Sequence, residues 1–174
     1  MHAFCVPLSR SNGLLDVMNE SVVPIQAIDL GVRPHSGVPR PVLLQSESAC
    51  YLLFEGSAKE SRDSNVVAIV RFQSCRISRF GYPNDEALPG HPLYKFGLRH
   101  YDVYEVSNSP WEHELRAQNR AIFPSFEMPK RRHFVITFHD STFECIAASA
   151  VAELSGESFS GAVSRIAEAL ANVV

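Results

Sequence analysis

Residues 133–145 read His-Phe-Val-Ile-Thr-Phe-His-Asp-Ser-Thr-Phe-Glu-Cys. A short apolar run, rich in branched and aromatic side chains, stops at His139-Asp140-Ser141-Thr142, and apolar spacing then resumes with a different period. Such a run suits a buried strand, and the chain must turn where the polar residues begin. Titratable and hydroxyl groups are thereby gathered at the end of a strand, a common place for chemistry in proteins that mix helices and strands.

The segment after the corner admits two structures. Ser141-Thr142-Phe143-Glu144 has the spacing of a capping box, in which a serine and a glutamate close the first turn of a helix. Phe143, Ile146, Ala147, Ala150, Val151 and Leu154 follow at helical spacing for three turns, and Gly156 can end the helix. Against this, Phe143 and Cys145 alternate, as they would in a hairpin turning at Asp140-Ser141. The longer pattern predicts a helix over 142–155.

The rest of the chain reads as strands followed by helices. Residues 42–44, 50–54 (ending at Glu55-Gly56-Ser57), 66–72 and 134–138 are short and apolar, and 101–106 alternates, so each reads as a strand. Val66-Val67-Ala68-Ile69-Val70 is the strongest β signal among them. Alternation continues from Arg71 to Ser78, so this strand is long, or bent and leaving the core near residue 73. Residues 59–65 are polar and read as a solvated loop. Ser109-Pro110-Trp111-Glu112 starts a helix over 110–121, and Phe159, Val163, Ile166, Ala167, Leu170 and Val173 mark another over 159–173. Prolines at 7, 24, 34, 39 and 41 make residues 1–41 an irregular N-terminal wrap, with Val22-Val23-Pro24-Ile25 able to form an edge strand. The expectation is one globular domain, 1–174, of the α+β class. Its sheet is mainly antiparallel, with two or three helices packed on it, a sheet-rich part over 42–138 and a helical part over 139–174.

The 174 residues are enough to bury a core, and an apolar share of 45% with 20% charged residues is that of a soluble globular chain. A net charge of −3 argues against a dedicated nucleic-acid binder. Lys130-Arg131-Arg132-His133 is the one dense basic run. No stretch approaches the roughly 20 apolar residues of a membrane helix, and Met1–Pro7 lacks the pattern of a signal peptide. A cytoplasmic protein is expected. Cys5, Cys50, Cys75 and Cys145 show no C-x-x-C spacing and are expected to be reduced.

The candidate site residues are His139, Asp140 and Ser141 at the corner, with His91 and Glu144 as secondary members. Histidine titrates near neutrality and suits acid–base work; Asp140 can orient it or act as a ligand. Ser141 could be a nucleophile, yet the glycines of a hydrolase elbow are missing and a helix cap is the commoner role of such a serine. His139, Asp140 and Glu144, joined by His91, His100 and Asp102, are metal-ligand types without metal-site spacing, so no metal is assigned. Cys145 reads as a small buried side chain. Residues 81–99 form a long loop rich in Tyr82, Asn84, Asp85, Glu86, His91 and Tyr94, of the kind that builds pockets. No phosphate-binding or dinucleotide-binding glycine motif indicates a cofactor. These residues imply a small-molecule-binding enzyme, a hydrolase or transferase, with a pocket where the 81–99 loop meets 139–141. The competing expectation is a non-catalytic interaction protein, of immunity or accessory type, binding an acidic protein partner through the same loop and residues 130–132.

Overall fold

The computed structural model describes residues 24–58 and 65–172. Two antiparallel five-stranded sheets pack face to face. The first sheet contains β1 (Ile25–Ala27), β6 (Ile77–Gly81), β7 (Val103–Val106), β8 (Arg132–Thr137) and β9 (Thr142–Ala147), in the order β1-β7-β8-β9-β6. The second contains β2 (Val32–Pro34), β3 (Val42–Gln45), β4 (Cys50–Ala58), β5 (Asn65–Gln73) and β10 (Ser149–Ser155). Its order is β10-β5-β4, with β3 and β2 one beyond the other along the far edge of β4.

Side-chain alternation builds three layers of core. Leu52, Phe54, Ala68, Val70 and Phe72 point inward from the second sheet and meet Phe134, Ile136, Phe138, Phe143 and Cys145 of the first. On the outer face of the second sheet, Leu53, Val67 and Ile69 lie under Ala162 and Ile166 of helix α2 (Phe159–Ala171). On the outer face of the first, Tyr104, Val106 and Val135 are covered by Leu88, Leu93 and Leu98 of the 84–100 loop, which is stiffened by short 3-10 turns at Leu88–Gly90 and Tyr94–Phe96. Helix α1 (Pro110–Ile122) follows β7 directly and sets Trp111 edge-on against His133 of β8.

The two sheets share a corner. Strand β5 becomes β6 through Ser74-Cys75-Arg76, and β9 becomes β10 through Ala148 alone. Backbone bonds from Arg76 N–H to the Ile146 carbonyl and from Ala148 N–H to the Gln73 carbonyl keep the two bent strands paired across the bend. Strands that pass from one sheet to the other at such bends are a known route to closed sandwiches. The bend expected near residue 73 is present, and Ser74 makes it in the left-handed region (φ 48°).

Helices at 110–122 and 159–171 agree with the sequence reading, but the expected helix over 142–155 is strand β9, a bend and strand β10. The 139–174 part is therefore only helical from residue 159. Ser141 caps nothing: its carbonyl accepts from Phe138 N–H across the two-residue tip His139-Asp140 of a β8–β9 hairpin. Every residue of β9 is buried: the partner sheet covers one face, and on the other Glu144 meets His91 and His133 while Thr142 donates to the Pro83 carbonyl. A strand buried on both faces loses polar alternation, and the bend at Ala148 then shifts its phase. Together these produce apolar residues at 143, 146, 147, 150, 151 and 154, which imitate a helix. The N-terminal wrap contributes two short edge strands, β1 and β2; residues 1–23, with Val22 and Val23, and most of the 59–65 loop lie outside the described residues.

Candidate functional site

The sequence-predicted residues separate into two groups, both on the outer side of the first sheet. One lies at the hairpin tip. His139 Nδ1 is 2.7 Å from Asp85 Oδ2, and the Tyr101 hydroxyl donates to the same oxygen at 2.5 Å. The loop is tied to the tip by the bond from Asp85 N–H to the His139 carbonyl at 2.8 Å. His100 Nε2 lies 2.9 Å from the Asp85 carbonyl oxygen. The 81–99 loop thus meets residue 139 where the sequence placed the meeting, but the carboxylate that faces His139 is Asp85. Asp140 is exposed at the tip, and Ser141 is buried in the turn. A shallow cleft of about 300 Å³ is lined by Asp85, Glu86, His100 and Tyr101.

The electrostatics at the tip follow from these bonds. Donation from Tyr101, then His139, lowers the Asp85 carboxyl below its ordinary range. Asp85 in turn raises His139, with further charge from Asp140 and Glu86, and pushes Tyr101 up to about 12. The raised His139 favours its protonated form, which donates to Asp85, over the neutral form that would act as a base.

The other group is buried. Glu144 projects from the outer face of β9, and its Oε2 lies 3.0 Å from His133 Nε2. Its Oε1 lies 3.5 Å from His91 Nε2 and 3.8 Å from Arg79 Nε. His91 Nδ1 accepts from Leu93 N–H, so the proton of a neutral His91 ring sits on Nε2, facing Glu144. Burial alone would raise the Glu144 carboxyl. The bonds from His133 and His91 and the charges of His133 and Arg79 overcome it and hold the group well below the usual carboxylate range. Arg79 is fixed by stacking its guanidinium over the Trp111 ring at 3.7 Å.

On its other side, His133 Nδ1 lies 2.9 Å from Ser109 Oγ. Glu144 is ionised and can only accept, so a neutral His133 carries its proton on Nε2 and offers the Nδ1 lone pair to the Ser109 hydroxyl. Ser109, His133 and Glu144 are 3%, 3% and 8% exposed, so the relay runs in a medium where hydrogen bonds to charge are strong. Ser109 is the N-cap of α1, its Oγ accepting from Glu112 N–H at 3.3 Å. The oxygen therefore also sits in the positive end of the helix dipole, which favours negative charge on it. Asn108, with left-handed backbone (φ 53°), turns the chain from β7 into this cap.

Ser109 borders a cleft of about 270 Å³ whose wall includes Asn108, Glu112, Lys130, Arg131 and Arg132. Glu112 Oε2 and Arg131 Nε are buried without a hydrogen-bond partner among the described residues, one an acceptor and the other a donor. Such atoms are costly to leave unpaired. Arg132 is bound by both oxygens of Glu105. No group of three or more histidine, cysteine or acidic side chains among the described residues is arranged to hold a metal ion. No helix among them is long and apolar enough to cross a membrane.

The sequence reading named Glu144 and His91 as secondary members, treated Ser109 only as a cap, and missed His133. Two signals were present: a histidine at the start of the central strand, and a capped helix starting three residues after strand β7. Neither shows that the two meet, because they are brought together by the pairing of β7 with β8. Comparison with protein-family models, curated proteins and solved structures finds no match to this chain.

Proposed function

We propose that the chain is a hydrolase or acyl transferase acting on a small-molecule substrate through Ser109, with His133 as general base and Glu144 as its orienting carboxylate. The supporting observation is the continuous relay from Ser109 Oγ to His133 (2.9 Å) to Glu144 (3.0 Å), beside a cleft that Ser109 borders. Nucleophile, base and orienter come from three separated segments, as such groups usually do. Ser109 Oγ attacks the substrate carbonyl while its proton passes to His133 Nδ1. Glu144 stabilises the imidazolium, which returns the proton to the leaving group. Water then releases the acyl group with His133 again as base.

A fluorophosphonate probe, which phosphonylates activated serines, tests this without knowledge of the substrate. Mass spectrometry is expected to place the label on Ser109, with Glu144→Gln slowing labelling by about a hundredfold or more. Labelling elsewhere, or none on the folded protein, overturns the assignment.

A second reading, an interaction protein, draws on exposed Ile122 at the end of α1 and Phe123 and Phe126 just after it, close in sequence to Lys130 and Arg131. It predicts that Phe123→Asp with Phe126→Asp abolishes recovery of a stoichiometric acidic partner while fluorophosphonate leaves Ser109 untouched.

A further inference from the structure

The β7–β8 ladder ends at Val106 and His133. Beyond it, residues 107–109 leave β7 and residues 130–132 lead into β8, and both stretches line the cleft that Ser109 borders. His133 sits at the join, with Nδ1 2.9 Å from Ser109 Oγ. Arg131 N–H donates to Glu112 Oε1 at 3.4 Å, which ties the basic stretch to the first turn of α1 beside that serine.

The charges of this cleft do not balance. Arg132 is taken up by both oxygens of Glu105. Glu112 has Arg116 3.9 Å away, and Arg116 also faces Glu127 at 3.6 Å. Lys130 and Arg131 are left over. One Arg131 guanidinium nitrogen donates to the Lys130 carbonyl at 3.3 Å, and neither side chain has a carboxylate partner among the described residues. With Arg116 and Glu127 counted, four cations meet three carboxylates, an excess of one positive charge. The positive end of the α1 dipole lies at the same place. Val106 is the one apolar residue among those lining the cleft, so a long hydrocarbon chain finds little to pack on.

Solvation accounts for Lys130, an exposed lysine on a loop. It does not account for Arg131, half-buried and without an acid, on the wall of the cleft beside the nucleophile. Resting on Ser109 as that nucleophile, we propose that the acyl group of the substrate carries a carboxylate, held by Lys130 and Arg131 while Ser109 attacks the ester or amide carbonyl. A guanidinium matches the two oxygens of a carboxylate in one plane, and the lysine adds a point charge. One positive charge in excess suits a carboxylate better than a doubly charged phosphate.

Two esters of equal chain length test the proposal: the para-nitrophenyl half-ester of adipate and para-nitrophenyl hexanoate, each corrected for uncatalysed hydrolysis. The ratio of kcat/KM is expected to favour the adipate ester by about tenfold or more at low salt, and to fall as salt is raised. Lys130→Glu is expected to bring the ratio to one or below, and Lys130→Arg to preserve it. A wild-type ratio near one, or a preference that survives both Lys130→Glu and Arg131→Gln, overturns the carboxylate. The wild-type ratio needs no variant. Fluorophosphonate labelling is read on the same preparation. Label on Ser109 without adipate preference overturns the carboxylate and leaves the nucleophile standing. Absence of label overturns the nucleophile, and binding then decides the carboxylate. Monomethyl adipate and methyl hexanoate are titrated into Ser109→Ala and followed by amide NMR. Shifts at residues 107–112 and 130–132 with monomethyl adipate alone are expected; equal shifts with both esters, or none with either, overturn the carboxylate.

Discussion

Ser109 does two jobs with one oxygen. It caps α1 by accepting from Glu112 N–H and faces the His133 Nδ1 lone pair. Ser109→Ala removes both, and lost caps cost about 1 kcal/mol; a modest fall in melting temperature with complete loss of fluorophosphonate labelling is expected. Glu144→Ala is expected to be far more damaging, because it leaves His133, His91 and Arg79 facing a vacated buried site. Each buried donor left unpaired costs about 1–3 kcal/mol, which denaturant titration would register. The tip pair behaves differently. His139 is raised by Asp85, so its contribution to stability is fully present below the unfolded histidine value near 6.5 and is lost as pH rises through the raised folded value. Asp85 is lowered, so its contribution is present above the unfolded value near 3.9 and is lost as pH falls through the lowered one. The bond is thus strongest in mildly acidic solution. Melting temperatures of wild type and His139→Gln should differ most there and converge as pH rises above His139's folded value; a difference that grows toward alkaline pH would contradict the pairing.

At the scale of elements, Gly56 controls how the far edge of the second sheet closes. A Cβ there would lie 2.4 Å from the Arg33 carbonyl oxygen and 2.9 Å from Val32 Cγ2. The first of these is backbone and cannot swing away, so Gly56→Ala must part β2 from β4. Overpacking of this kind costs about 1–3 kcal/mol, and the upper end is expected, with amide exchange quickening at residues 32–34. The sequence offered Gly56 as a strand end; the structure carries β4 through it to Ala58 because β2 needs a side-chain-free position to approach. Strands with polar flanks, such as Val66–Phe72, the helix capped at Ser109, and α2 by its apolar spacing were legible from local pattern. What misled was β9, where both faces are covered and only tertiary structure explains the apolar residues. The same burial hid the candidate site: His133 and Glu144 look like the polar ends of apolar runs, and their contact depends on the β8–β9 register pairing Val135 with Glu144.

For the molecule as a whole, the shared corner ties the two sheets to each other through two continuous strands. Two bent strands run through it and stay hydrogen-bonded to each other across the bend. Phe72, on β5 just before that bend, packs against Phe134 and Phe143 of the opposite sheet with ring centroids 5.8 and 5.1 Å away. Phe72→Ala deletes an aromatic ring that is 1% exposed, and such deletions cost about 3–5 kcal/mol through lost burial and the cavity left behind. If the sheets fold together, urea unfolding of Phe72→Ala should keep one transition, its midpoint lowered by that free energy divided by the slope and the slope itself unchanged, because the surface exposed on unfolding stays the same. Were the sheets separate units joined only by linkers, the variant would loosen their interface first. The curve would then broaden or split, and exchange protection in β7 and β8 would survive the loss of protection in β4 and β5. A single transition with parallel loss of protection in both sheets is expected, because β5–β6 and β9–β10 allow neither sheet to lose its partner without breaking its own ladder.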